Sequence, residues 1–120
     1  MPPPDIVLLG ANWNPRALLR AQLIEHGFDV VATDAWPMMR RHLRGEKPRL
    51  AIVDLQDLDG PMEVLRALRD LIKPDRVLVL TALGTAAPRK IEALGFRAIA
   101  RPIAIDDVVA AAAQLLRDAA

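Results

Sequence analysis

Leu50-Ala51-Ile52-Val53-Asp54 decides the fold. Four apolar residues follow one another with no polar alternation, and the run stops on a carboxylate. A strand that is apolar at every position is buried on both faces, which is the pattern of a parallel sheet covered by helices. Outward from this run the same grammar repeats. Ile6-Val7-Leu8-Leu9, closed by Gly10, and Val77-Leu78-Val79-Leu80-Thr81 read as two further buried strands, and Val30-Val31-Ala32 and Ala98-Ile99-Ala100 as two shorter ones. Between them lie stretches of helical period. Asn14 reads as an N-cap with Pro15 at the first helical position, with Leu18, Leu19, Leu23 and Ile24 as a core-facing stripe and Gly27 as the stop. His26, just before that glycine, reads as a partner for the negative end of the helix. Trp36 to Leu43 forms a second helix with Pro37 in its first turn, ended by Gly45 and Pro48. Gly60-Pro61 opens a third helix striped by Met62, Leu65, Leu68 and Ile72, a fourth runs from about Ala87 to Leu94, and Asp106 caps the last, striped by Val108, Val109, Ala112, Leu115 and Leu116.

Composition removes much chemistry. The 120 residues contain no Cys, no Tyr and no Ser, which excludes a thiol or serine nucleophile and a thiolate metal site. The two histidines, His26 and His42, fall on different helices, so a multi-His metal centre is not expected. Lys and Arg number 16 against 15 acids, so no global field attracts nucleic acid or an acidic membrane. The longest uncharged stretch, Val77 to Pro88, is too short for a bilayer span. These features suit one domain over residues 1–120 with an extended arm at 1–4, soluble and cytoplasmic, and not an enzyme acting alone.

Alternating strands and helices demand right-handed crossovers and a doubly wound α/β sheet with helices on both faces. In such sheets function sits at the carboxyl ends of the strands. The residues there are Gly10-Ala11-Asn12, Asp34, Asp54, Thr81-Ala82 and Arg101-Pro102. With Asp59-Gly60 before the third helix, Asp54, Thr81-Ala82 and a basic residue before Pro102 carry a resemblance. The chain resembles the receiver domains of bacterial two-component response regulators, of the chemotaxis-regulator type, from about Asp5 to Ala119.

The resemblance implies a flavodoxin-like, five-stranded parallel sheet of order 2-1-3-4-5. It also implies that Asp54 corresponds to the carboxylate that takes a phosphoryl group from a histidine kinase in a phosphorelay, with Mg²⁺ held by that Asp and an acidic pair after the first strand. Thr81 corresponds to the hydroxyl that contacts the phosphoryl group, and Arg101-Pro102 to a Lys-Pro pair whose peptide bond is cis. Against this pattern the sequence departs at defined places. The acidic pair falls on Gly10 and Ala11, which offer no side-chain oxygen to a hard cation. Arg101 keeps the charge of the lysine but not its shape. The aromatic of the family's switch falls on Ala98, and the loop from Asp54 to Gly60 is about two residues short by comparison. Mg²⁺ binding is therefore expected to be weak or absent, with no other cofactor.

The reading is a pseudo-receiver acting through a protein partner, a histidine kinase or an output protein, with homodimerisation through the Ala110 to Ala113 run or the fourth helix, fifth strand and fifth helix. One alternative is a conventional receiver phosphorylated at Asp54. Another is a small-ligand or nucleotide module, although Gly10-Ala11-Asn12-Trp13 has one glycine where a phosphate-binding fingerprint needs three. Asp54 also reads as a plain strand-end carboxylate paired with Arg101, and Thr81 as a turn cap. Arg40-Arg41-His42-Leu43-Arg44, Lys47 and Arg49 form a basic patch, and Asp54, Asp57, Asp59 and Glu63 an acidic one. The basic patch is either a solvated helix or a docking face for an acidic protein, nucleic acid being disfavoured. Trp13 and Trp36 read as buried hydrophobes or, if exposed, as partner contacts.

Overall fold

The structure is a computed structural model, and it describes residues 2–81, 88–100 and 102–118. The five expected strands are present: β1 (Ile6–Leu9), β2 (Val30–Thr33), β3 (Leu50–Asp54), β4 (Val77–Leu80) and β5 (Arg97–Ile99). All pair in parallel, in the order β2-β1-β3-β4-β5. The helices are α1 (Trp13–Glu25), α2 (Trp36–Gly45), α3 (Pro61–Arg69), α4 (Pro88–Ala93) and α5 (Ile105–Asp118), with a single 3₁₀ turn at Pro74–Arg76. This is the doubly wound, flavodoxin-like architecture that the apolar runs require.

The unbroken runs are buried because the sheet has a core on each side. Ile6, Leu8, Leu50, Ile52, Leu78 and Leu80 face Leu19 and Leu23 of α1 and Val108, Val109, Ala112 and Leu116 of α5. Val7, Leu9, Ala51, Val53, Val77 and Val79 face the other way, onto Met39 and Leu43 of α2, Val64, Leu65 and Leu68 of α3, Ile91 of α4, and Phe96. Successive side chains of a strand alternate in direction, so each run feeds both cores in turn. Arg49 ties the entrance of β3 to the far end of α5 by donating to the Leu116 carbonyl at 2.9 Å, and lies 3.6 Å from Asp5. It is thus a structural cation rather than a free member of the basic patch.

Several boundaries differ from the sequence reading. α1 begins at Trp13, with Asn12 and not Asn14 before it, and Pro15 is its third residue. That position is tolerated because the first four amides of a helix have no intrahelical acceptor. Leu18 and Ile24 are exposed while Leu19 and Leu23 are buried. Adjacent helical residues point 100° apart, so one narrow contact face takes a single member of each pair. Trp13 is 71% exposed, contrary to its reading as a buried residue, whereas Trp36 packs against the core under α2 and α3. β2 extends to Thr33, β4 stops at Leu80, and β5 begins one residue early, at Arg97. α2 runs on to Gly45, and α3 stops at Arg69, leaving Ile72 beyond its end but packed on the core.

Gly27 takes φ 91° just past α1, the left-handed conformation that closes a helix and that side chains disfavour. At α5, the Ala104 carbonyl receives the amides of Asp107 and Val108, so Asp106 lies in the first turn instead of capping it. Asp106 and Asp107 there oppose the helix's positive end. Ala111 and Ala112 are buried in the sheet-facing core, so the Ala110 to Ala113 run does not form a single outward surface. Among the described residues no helix is long and apolar enough to cross a membrane.

Candidate functional site

Parallel strands end together, and their ends bring distant residues to one edge. β1 delivers Gly10 and Ala11, β3 delivers Asp54, and β4 is followed at once by Thr81. The ladders continue slightly past the strands: Gly10 donates to the Thr33 carbonyl at 3.0 Å, Leu55 to Leu80 at 2.9 Å, and Thr81 to Ile99 at 2.9 Å. These bonds fix the backbone at the rim of the crevice. Asp54 and Thr81 are both buried, unlike most polar residues of the chain. Asp54 Oδ1 accepts the Gln56 amide at 3.0 Å, a short-range bond that turns the chain out of β3. Arg101, the Arg101-Pro102 peptide bond, the Asp54 to Arg101 pair and Ala82 lie outside the described residues. Pro102 itself is exposed, just beyond β5.

Two contacts at this edge were not anticipated from the sequence. Arg16, in the first turn of α1, donates from Nη1 to the Gly10 carbonyl at 2.6 Å. Its stem also runs beside Gly10: a Cβ built on Gly10 would meet Arg16 Cβ at 3.4 Å and Cγ at 3.7 Å. A permanently charged guanidinium therefore lies where the resemblance places the first acid of a cation site. Asn12 Nδ2 donates to Asp57 Oδ2 at 2.9 Å, linking the loop after β1 to the loop after β3. Asp57 holds φ 57° in this loop, a left-handed conformation that Asp adopts more readily than most residues. The Asn12 amide serves Asp57 and makes no side-chain cap to α1. A clue was present in the sequence: a long cation six residues after a strand-ending glycine sits one helical turn above the strand end.

The residues present do not fit a divalent cation of the receiver type. Gly10 and Ala11 supply no side-chain oxygen, and the Gly10 carbonyl already accepts a cationic donor. Among the described residues no group of three or more His, Asp or Glu is arranged to hold a metal ion.

Two cavities flank the edge. One, of about 510 Å³, lies between the starts of α2 and α3, lined by Asp34, Trp36, Asp57, Asp59 and Glu63. Three of the four members of the acidic patch gather here, and Asp34 joins them. Asp54 does not. It lines a separate cavity of about 180 Å³ with Pro15, Leu18, Leu19, Leu80, Ile103, Ile105 and Val108, an apolar slot between α1 and α5. The half-exposed Leu18 stands at that slot.

No protein-family model matches the chain, and no curated protein matches it in sequence. Solved structures do. The receiver domain of the Francisella response regulator 1452 superposes with a TM-score of 0.83 at 17% identity, covering 98% of this chain and 99% of that one. The BeF3-activated N-terminal receiver domain of Klebsiella pneumoniae RstA gives 0.80 at 24%, covering 93% and 97%. A response regulator receiver protein from Sinorhizobium medicae gives 0.75 at 20%, covering 96% and 95%. At these identities the likeness is one of fold, and it extends over nearly the whole of each partner. With its β2-β1-β3-β4-β5 sheet and two-sided core, the chain has the fold of response-regulator receiver domains.

Proposed function

We infer that the chain is a receiver-like signalling module that acts by binding a protein partner without Mg²⁺-dependent phosphorylation. The observation that carries this is the contact between Arg16 and the Gly10 carbonyl at the position of the missing acids. A carboxylate attacking a phosphoryl group meets like charge, and the reaction needs cations that neutralise the transition state. Among the described residues of this edge, Arg16 carries a positive charge, but its guanidinium is engaged by the Gly10 carbonyl at the end of the strand next to that of Asp54. The Asn12 to Asp57 bond further joins the two loops by direct contact, so their separation does not depend on a bound ion.

Binding of a partner has material to use. Trp13 and Leu18 are exposed on α1, and large apolar side chains of this kind anchor protein interfaces. The conventional phosphoacceptor reading rests on the burial of Asp54 and Thr81 at adjacent strand ends. A Mg²⁺ titration separates the two. Trp13 lies directly after the loop in question, so its emission reports on cation binding there. The expected result is no saturable change in fluorescence or melting temperature up to concentrations of about 10 mM, where a site of ordinary strength would stabilise the fold by mass action. A saturating, Mg²⁺-specific change removed by chelator would reject the reading.

A further inference from the structure

We propose that a second site, at the opposite end of the sheet, binds a phosphorylated small molecule. A cavity of about 340 Å³ opens between the ends of α2 and α3, at the entrances to β3 and β4. Four cations line it: Arg44 in the last turn of α2, Lys47 two residues past that helix, Lys73 just before the 3₁₀ turn and Arg76 within it. These pairs are far apart in sequence and meet only in the fold. Asp70 is the sole carboxylate among the lining residues, which leaves a local excess of three positive charges.

None of the four cations has an ion pair or a side-chain hydrogen bond with another described residue. In the same stretch His42 is occupied by Glu46, and Arg49 by Asp5 and the Leu116 carbonyl. The four cations of the cavity are therefore not held by the fold itself, which is also true of Arg40 and Arg41 on α2 outside it. Helix polarity accounts for Arg44, in the last turn of α2, but not for Lys47, Lys73 or Arg76, which lie outside the α-helices.

Lys47 adds a second observation. It holds φ 50°, in the left-handed region that favours glycine, although a glycine stands two residues earlier at Gly45. Glycine at this position would relieve the backbone while removing the charge, so the two effects can be separated by substitution.

The chemistry of the lining selects the ligand. A single carboxylate would leave most of the charge unmatched, whereas a diphosphate carries about three negative charges and enough acceptor oxygens for two guanidinium forks and two ammonium groups. Leu43, Pro48, Leu71 and Ile72 complete the wall and are buried or half-buried apolar residues, so the site also accommodates an apolar or planar body attached to the phosphates. The volume lies at the low end of small-molecule pockets. This site lies away from Gly10, Asp54 and Thr81, so it stands or falls separately from the reading of the strand-end crevice.

The test is isothermal titration of the full 120-residue chain with sodium pyrophosphate and, separately, with ADP, at constant ionic strength and without divalent cation. Saturable one-to-one binding is expected. Tighter binding of ADP assigns the site to a nucleotide-like ligand that uses the apolar wall, and equal affinities assign it to the free anion. Arg44→Glu/Arg76→Glu should weaken binding by about tenfold or more for each cation lost. Arg40→Glu/Arg41→Glu, the same charge change on α2 outside the cavity, should leave it within about twofold, as screened surface charges do. Lys47→Gly should weaken binding without lowering the melting temperature, because it removes the charge while easing the backbone. No saturable binding of either probe, or equal losses in the two double variants, would overturn the proposal.

Discussion

Leu65→Ala lowers the unfolding free energy by about 2–5 kcal/mol, the range for deleting a fully buried leucine side chain. Leu65 has no exposed surface, and it lies in the core between α3 and the Val7, Val53 and Val79 face of the sheet. Strands in the centre of a parallel sheet cannot move independently to fill the space, so the cavity persists and the loss lies above the simple transfer term. Urea denaturation followed by far-UV circular dichroism should show a lower midpoint with an unchanged slope. Leu18→Ala is the internal control. It removes the same atoms from a side chain that is 51% exposed, and it should change stability by less than about 1 kcal/mol. Equal losses in the two variants would contradict the assignment of Leu19 and Leu23, rather than Leu18 and Ile24, to the buried face of α1.

Gly10→Asp/Ala11→Asp combined with Arg16→Ala is expected to create divalent-cation binding at the end of β1. Gly10 is not held at positive φ, and the nearest obstacle to a side chain there is the stem of Arg16 at 3.4 Å. The triple change therefore places two carboxylates at the end of β1, one strand from Asp54, and removes the competing guanidinium. Carboxylate oxygens are the ligands that Mg²⁺ prefers. At Mg²⁺ about tenfold above the dissociation constant, the variant should gain about 1.4 kcal/mol in stability, read as a rise in melting temperature that EDTA reverses. The two acids without the Arg16 change should bind more weakly, because the guanidinium pairs with them. Absence of any Mg²⁺ effect in the triple variant would show that the acids and Arg16 are not what sets the cation chemistry of this edge.

The fold was legible because its signal is strong and local. Ile6 to Leu9, Leu50 to Val53 and Val77 to Leu80 are apolar at every position, and only a sheet covered on both faces buries such runs completely. The faces of α1 were less legible. Leu18-Leu19 and Leu23-Ile24 are adjacent apolar pairs, and periodicity alone does not say which member faces the sheet. Its start was displaced as well: Asn14 read as the cap, but the helix begins at Trp13, and the side chain of Asn12 before it serves Asp57 instead of capping. At the crevice, the positions of Gly10, Asp54 and Thr81 followed from strand order, since strand ends are set by where apolar runs stop. The contacts of Arg16 and Asp57 did not, because they depend on how a helix turn and a loop approach those ends. The cavity of Arg44, Lys47, Lys73 and Arg76 was invisible for the same reason: the sequence displayed half of it as a basic stretch on α2 and gave no sign that the turn before β4 would complete it.

The central claim is that the strand-end edge retains an aspartate without the machinery to phosphorylate it. Its most direct test is the intact mass of the chain after incubation with Mg²⁺ and a small phosphodonor such as acetyl phosphate. The account predicts an unchanged mass, identical to that of Asp54→Asn treated in parallel. A stoichiometric gain of one phosphoryl group, absent from Asp54→Asn, would contradict it.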